Sequence, residues 1–160
     1  MNILFRQAAL SAMILLAAGS ATAGATVTFY KPEHFSDVPF ASWERDRVLK
    51  DLSAHFDKLA AQLPPGQDLK VEVLDLDLAG RTWPGIWAVH DLRVMNGGAD
   101  WPHIKLRYTI SQGGQVLRTG EDELSNMSYL QRMNRYVSGD ALRYEKQMLD
   151  DWFKERIAAK

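Results

Sequence analysis

The sequence contains no cysteine among its 160 residues. This absence excludes disulfide bonds, thiolate metal ligands and a cysteine nucleophile. It also excludes the lipid-bearing cysteine that anchors a bacterial lipoprotein, so we expect no lipid anchor. Disulfides are permitted but not required in an oxidising compartment, and their absence is therefore compatible with export.

The sequence also lacks the short motifs of common enzyme classes. It has no GxxxxGK[ST] or GxGxxG phosphate loop, no GxSxG elbow and no HExxH zinc motif. The four histidines are spaced in a way that indicates no common set of metal ligands; they are His34, His55, His90 and His103. We therefore predict no cofactor, no metal and no catalytic residues, and a binding module rather than an enzyme.

Charge of one sign does not dominate. The chain has 19 Lys and Arg against 20 Asp and Glu, a formal net charge of −1, and it contains no basic run. This balance argues against nucleic acid as a partner and against electrostatic binding to anionic lipid.

Long apolar runs are confined to the N-terminus. Met1–Arg6 carries one positive charge, Ala8–Ala18 is apolar, and small residues follow up to Ala23. This pattern predicts a secretory signal peptide over residues 1–23, cleaved after Ala23. The apolar run is too short to span a bilayer, which needs about 20 residues, so we predict no transmembrane segment. Residues 24–160 would then be a single periplasmic domain with a formal charge of −2, since Arg6 is lost.

The longest β-type run is Lys70–Gly80, KVEVLDLDLAG, and its alternation changes phase. Its two valines lie at odd positions, whereas its three leucines lie at even positions. Residues two apart share a face of a strand. Either a β-bulge near Val73–Leu74 returns all five side chains to one face, or the strand is covered on one face at its start and on the other at its end.

Two aspartates project together from this run. Asp75 and Asp77 should lie about 7 Å apart on one face. They indicate either a solvated polar face with basic partners or a site for a divalent metal or ligand, as in a small metal-dependent hydrolase. A cleanly alternating strand, Ile104–Ile110, places Lys105 and Arg107 on its polar face. These are natural partners for the aspartates if the two strands are neighbours.

The order of elements predicts an α+β fold. Ala25–Tyr30 is a predicted strand, and Trp43–Leu63 is a predicted helix with Ser42 as N-cap. Followed by Lys70–Gly80, they form a βαβ unit with parallel strands. An antiparallel β-meander and a last helix, Ala141 to about Ala158 with Asp140 as N-cap, complete a two-layer sandwich. Both helices would pack on one face of a mixed sheet.

Two further segments suggest binding. Trp83, Trp87 and Trp101 lie in or near turns with prolines. They could hold a sugar or lipid or dock a partner, or they could fold over the sheet end as a second small core. The segment Asn126–Tyr136 is polar and aromatic, could hold a short helix, and adds Arg135 and Tyr136 as candidate binding residues.

Several stretches in combination resemble the DUF3016 family of exported proteobacterial proteins. They are VTFYKPEHFSDV at Val27–Val38, LDLDLAG at Leu74–Gly80, WPHIKLRYTIS at Trp101–Ser111 and LRYEKQMLDDWF at Leu142–Phe153. The resemblance covers essentially all of residues 24–160. It implies a periplasmic envelope protein of a Gram-negative bacterium, whose partner is an unknown envelope protein or small ligand. The family has no assigned activity, so the resemblance implies no catalytic residues.

Overall fold

Two helices pack on one face of a four-stranded mixed sheet. The computed structural model describes residues 24–83 and 92–158. The predicted signal peptide and Trp87 lie outside these residues. Within them, no helix has the length and apolar character needed to cross a bilayer.

The elements follow the predicted order. The strands and helices are β1 Ala25–Phe29, α1 Ser42–Ala60, β2 Gln67–Asp77, β3 Arg81–Trp83, β4 Leu92–Val94, β5 His103–Gln112, β6 Gln115–Ser125 and α2 Arg143–Trp152. A 3-10 turn at Pro32–His34 follows β1, and a π-helical turn at Phe153–Ile157 extends α2. The predicted α+β fold is confirmed.

The predicted βαβ unit is present, and its second strand is central. The main sheet has the order β1-β2-β5-β6. β2 pairs in parallel with β1 and antiparallel with β5. The pair β3–β4 forms a separate two-stranded sheet, so the predicted meander is divided between two sheets.

The phase change in β2 is a β-bulge. The register with β5 shifts between Val73 and Asp75, which leaves Leu74 as the extra residue. Val71 and Val73 are buried before the shift, and Leu76 is buried after it. The first of the two explanations is therefore correct, except that Leu74 itself is only half-buried.

The core lies between the helices and the sheet. From α1 it includes Leu52 and Phe56, and from the end of α2 it includes Trp152. The Trp152 ring makes edge-on contacts with Phe56 and Tyr108, at centroid distances of 6.4 and 5.6 Å. This geometry is favourable for aromatic pairs, and it ties both helices to the middle of the sheet.

Three local predictions are wrong. The N-cap of α1 is Ala41 rather than Ser42, and α2 begins at Arg143 rather than Ala141. Asp140 nevertheless accepts a hydrogen bond from the Leu142 amide at 2.9 Å. Asn126–Tyr136 forms a turn and a loop instead of a helix; in the loop, the Met133 carbonyl and the Arg135 N–H bond to the Gln147 side chain of α2.

Gly120 in β6 offers a test of the packing. A Cβ atom at this position would lie 2.8 Å from atoms of the buried Tyr108 ring. We expect Gly120→Ala to lower the free energy of unfolding by about 1–3 kcal/mol, because the ring cannot move without disturbing the core. Denaturant unfolding measures this. Gly139→Ala is the control, since a Cβ atom added there would have no neighbour within 4 Å; equal losses in both variants would contradict the packing.

Candidate functional site

Asp75 and Asp77 have separate local partners. The Asp75 carboxylate accepts hydrogen bonds from the Ser36 amide at 2.8 Å and the Ser36 hydroxyl at 2.6 Å. The Asp77 carboxylate lies 3.4 Å from Arg81 Nη1 and 3.8 Å from His103 Nδ1. Burial raises the pKa of Asp77, and the charge of Arg81 opposes this shift.

Lys105 and Arg107 are on the strand beside the aspartates but pair elsewhere. Asp75 is directly opposite Lys105 in the register. The Lys105 ammonium is 3.3 Å from Glu121, and the Arg107 guanidinium is 2.7 Å from Glu72 and 3.0 Å from Glu121. The prediction that Lys105 and Arg107 pair with the aspartates is therefore wrong. The Asp75 carboxylate is hydrogen-bonded to Ser36, and both basic side chains pair with Glu121 of β6 instead.

On the open face of the sheet, charged side chains of neighbouring strands form ion pairs with one another. Exposed ion pairs of this kind each stabilise a protein by about 0–1 kcal/mol. Over residues 24–83 and 92–158, no group of three or more His, Cys, Asp or Glu side chains is placed to hold a metal ion. Asp75 and Asp77 thus have no third ligand among the residues described.

Trp83 and Trp101, the two candidate tryptophans within the described residues, lie in different environments. Trp101 is half-buried, packs against a small second core of Ala79, Tyr129 and Tyr144, and donates its indole N–H to His103 at 2.7 Å. Trp83 is 59% exposed and lies opposite Leu92 in the β3–β4 pair. Trp101 therefore follows the second-core alternative, whereas Trp83 remains available to a ligand.

Arg135 and Tyr136 fasten a long loop, residues 126–140, to helix α2. The Arg135 guanidinium lies 2.9 Å from Asp151, and the Tyr136 hydroxyl donates to Asp150 at 2.8 Å. The Gln147 amide accepts from the Arg135 N–H at 2.9 Å and donates to the Met133 carbonyl at 3.2 Å. We call this segment the pinned loop.

A buried histidine completes the attachment. The imidazole of His55 in α1 lies 2.9 Å from the same Asp150 carboxylate and is 4% exposed. Burial lowers the pKa of His55, and the Asp150 charge only partly offsets this. Together with Tyr136, these groups line a cavity of about 380 Å³ between the two helices. Their contacts join α1, α2 and the pinned loop.

The pinned loop displays apolar side chains to solvent. Met133 is 92% exposed, Val137 77% and Met127 67%, and Leu130 is also exposed. In the sequence, Met127, Leu130 and Met133 recur at spacings of three. This spacing did not indicate that the side chains would point outward, because it is typical of the buried face of a helix.

A second apolar feature, which we call the apolar groove, lies at the end of β2 and has a volume of about 470 Å³. Its apolar lining comes from the loop before α1, from α1, and from residues just after β2 and just before α2; it includes Val38, Pro39, Phe40, Val48, Leu78 and Leu142. The Phe40 side chain is 99% exposed at its rim.

Arg93 and Asp37 are the charged pair in the lining of the apolar groove. Their side chains form two hydrogen bonds, at 3.0 and 3.1 Å. Arg93 Nη1 also reaches the carbonyls of Leu78, Ala79 and Gly80, each at 3.3 Å. Sequence reasoning missed this pair, because neither residue belongs to a motif and 56 positions separate them.

A family model described as "Protein of unknown function (DUF3016)" matches residues 23–155. The chain belongs to the DUF3016 family. No curated protein and no solved structure matches it. The resemblance noted in the sequence is confirmed, and the role of this DUF3016 protein has to be inferred from its own geometry.

Glu145 of this DUF3016 protein is buried where the strand β2 ends. It is 1% exposed, and its Oε1 accepts a hydrogen bond from the Ala79 amide at 2.7 Å. Among the described residues, Oε2 has no hydrogen-bond partner. Burial raises the pKa of Glu145, although the Ala79 amide and the Arg93 charge oppose the shift.

The raised pKa of Glu145 makes folding stability depend on pH. The folded state holds the Glu145 proton more tightly than the unfolded chain, so stability falls as pH rises from the unfolded value of 4.5 to the raised folded value. The loss is about 1.4 kcal/mol for each pH unit that separates the two pKa values. We expect Glu145→Gln to gain stability relative to the unmodified protein over this range, measured by denaturant unfolding at several pH values. Glu123→Gln on exposed β6 is the control; parallel curves for both variants would contradict the assignment.

Proposed function

We propose that this DUF3016 protein is exported to the periplasm and acts there as a soluble, non-enzymatic binding module for an envelope protein. The observation that carries the proposal is the pinned loop. Its apolar side chains are held in solvent by a backbone that is bonded to α2.

The energetics favour a docking role for this loop. Exposing Met133 and Val137 gains nothing for folding, since burial of such side chains is worth about 1.5–3 kcal/mol each. The bonds from Gln147, Asp150 and Asp151 fix the backbone before any partner arrives. A surface ordered in advance loses less entropy on binding, and methionine adapts readily to a partner's shape.

The β6 edge of the main sheet is a less suitable docking surface. β6 ends the main sheet, but its pairing with β5 is interrupted by a register shift next to Ile110. It also carries three consecutive acids, Glu121–Glu123, and Asp122 points inward to the Trp152 indole at 2.9 Å. Bulges and inward-pointing charges are features that keep sheet edges from pairing.

Export is tested by the state of the N-terminus. We expect the protein in the periplasmic fraction to begin at Gly24, because small residues at positions 21 and 23 fit the cleavage site. Ala23→Lys should leave a heavier, unprocessed form, detected by mass spectrometry and N-terminal sequencing. Thr22→Lys, between the two small positions, is the control. Recovery of uncleaved protein in the cytoplasm would refute export.

Docking is tested with a photo-crosslinking amino acid in living cells. Placed at Met133, it should give one reproducible adduct, because this side chain is the most exposed of the four apolar side chains of the proposed surface. Val137→Ser should weaken the adduct several-fold without changing the melting temperature, since the side chain is exposed. The same crosslinker at Val116, which is exposed on β6, is the control. Equal adducts from Met133 and Val116, or none from Met133, would refute this docking surface.

A further inference from the structure

We propose that Met127 and Met133 of the pinned loop form a reversible oxidation site, at which each thioether accepts an oxygen atom from hydrogen peroxide or hypochlorite and docking is thereby weakened. The modification itself needs only the exposed sulfur atoms. The effect on docking rests on the binding role proposed above and adds a form of regulation to it.

Methionine is the only oxidisable sulfur in this chain, because the sequence contains no cysteine. Four methionines lie outside the predicted signal peptide: Met95, Met127, Met133 and Met148. Met127 and Met133 are exposed, whereas Met148 is 5% exposed in the main core and Met95 is half-buried against the second core. Exposure therefore separates the two methionines of the pinned loop from the other two.

Anchored neighbours hold the Met127 side chain outward. Asn126 is buried, and its N–H donates to the Pro102 carbonyl at 3.3 Å. Tyr129 is also buried, and its N–H donates to the Asn126 carbonyl at 3.2 Å. The Tyr129 ring meets the Tyr144 ring edge-on at a centroid distance of 4.8 Å. Met127 would have to break these contacts to turn toward the core.

Helix α2 holds Met133 in a similar way. The Gln147 amide donates to the Met133 carbonyl at 3.2 Å and accepts from the Arg135 N–H at 2.9 Å. Gln147 itself is 3% exposed, so water has little access to these two bonds. The fold thus fixes the backbone and leaves the thioether in solvent, where an oxidant reaches it without any opening of the structure.

The oxidation requires only access to the sulfur atom. A lone pair on sulfur attacks an oxygen atom of the oxidant and forms the S–O bond, while the O–O bond of hydrogen peroxide or the O–Cl bond of hypochlorite breaks. The sulfur loses two electrons, which leave with water or chloride, and the product is methionine sulfoxide. A methionine sulfoxide reductase restores the thioether with two electrons from a dithiol, which becomes a disulfide.

Oxidation at these positions changes the surface and not the packing. The sulfoxide makes an apolar side chain polar and adds a hydrogen-bond acceptor. In the free protein, water satisfies this acceptor, so folding is unaffected. Against an apolar partner it would be buried without a donor, and we therefore expect docking to weaken about fivefold or more.

The first test is the order in which the methionines of the purified, folded protein react. After limiting hydrogen peroxide, peptide mass spectrometry detects each sulfoxide as a gain of about 16 Da. We expect Met127 and Met133 to react about tenfold or more faster than Met148, which is reached only when the core opens. The melting temperature should not change while only the loop is oxidised. Protein unfolded in urea is the control, in which the four rates should converge.

The second test measures docking in living cells with the photo-crosslinking amino acid at the exposed Val137, which leaves both methionines in place. Hypochlorite should reduce the adduct about fivefold or more. The adduct should return after the oxidant is removed, with protein synthesis blocked. A double variant, Met127→Leu with Met133→Leu, keeps the size and apolar character of both side chains but has no sulfur. Its adduct should be the same before and after hypochlorite.

Four results would overturn the proposal. Equal oxidation rates for all four methionines in the folded protein would remove the site. A fall in melting temperature on oxidation of the loop would show damage to the fold. An equal loss of adduct in the unmodified protein and the double leucine variant would place the effect of the oxidant elsewhere. Absence of an adduct before oxidation would overturn docking and the regulatory step with it, while the order of oxidation would still decide the modification site.

Discussion

The packing of the helices on the sheet depends on the β-bulge in β2. This strand lies between β1 and β5 in the sheet, and its apolar residues come in two sets of opposite phase. Without the extra residue at Leu74, the second set would face solvent, because a shift of one position moves every side chain to the other face. The bulge sends Leu76 and Leu78 to the helices and leaves Asp75 and Asp77 on the open face.

The residues just after β2 connect most of the structure. Arg93 and Asp37 join the strand end to the β3–β4 pair and to the loop before α1, and Glu145 joins it to α2. Arg93 and Asp37 also line the apolar groove. One wall of the groove is therefore held by the hydrogen bonds between Arg93 and Asp37. The Phe40 side chain, which also lines the groove, is exposed.

A second set of contacts attaches the pinned loop to the helices. The Asp150 carboxylate accepts a hydrogen bond from the Tyr136 hydroxyl and lies beside the buried His55. The Arg135 N–H donates to Gln147, and the Arg135 guanidinium pairs with Asp151. Candidate residues chosen from the sequence for binding thus turn out to position a surface. The exposed side chains of Met127 and Met133, which precede them in the loop, lie on that surface. Polar residues were the more obvious candidates in sequence, but here their bonding capacity is used within the fold.

The sequence by itself determined the α+β class, the βαβ unit and the half-buried β5 strand, because periodicity and turn residues are local signals. Its resemblance to DUF3016 came from particular stretches of residues, and the family model confirmed it. It also narrowed the β2 phase change to two explanations. Only the tertiary structure decided between them, paired Asp75 with Ser36 rather than Lys105, and turned Asn126–Tyr136 into a loop. Those outcomes depend on groups far apart in the chain, such as Ser36 and Asp75 or Met133 and Gln147. No local pattern encodes which of several possible partners comes nearest after folding.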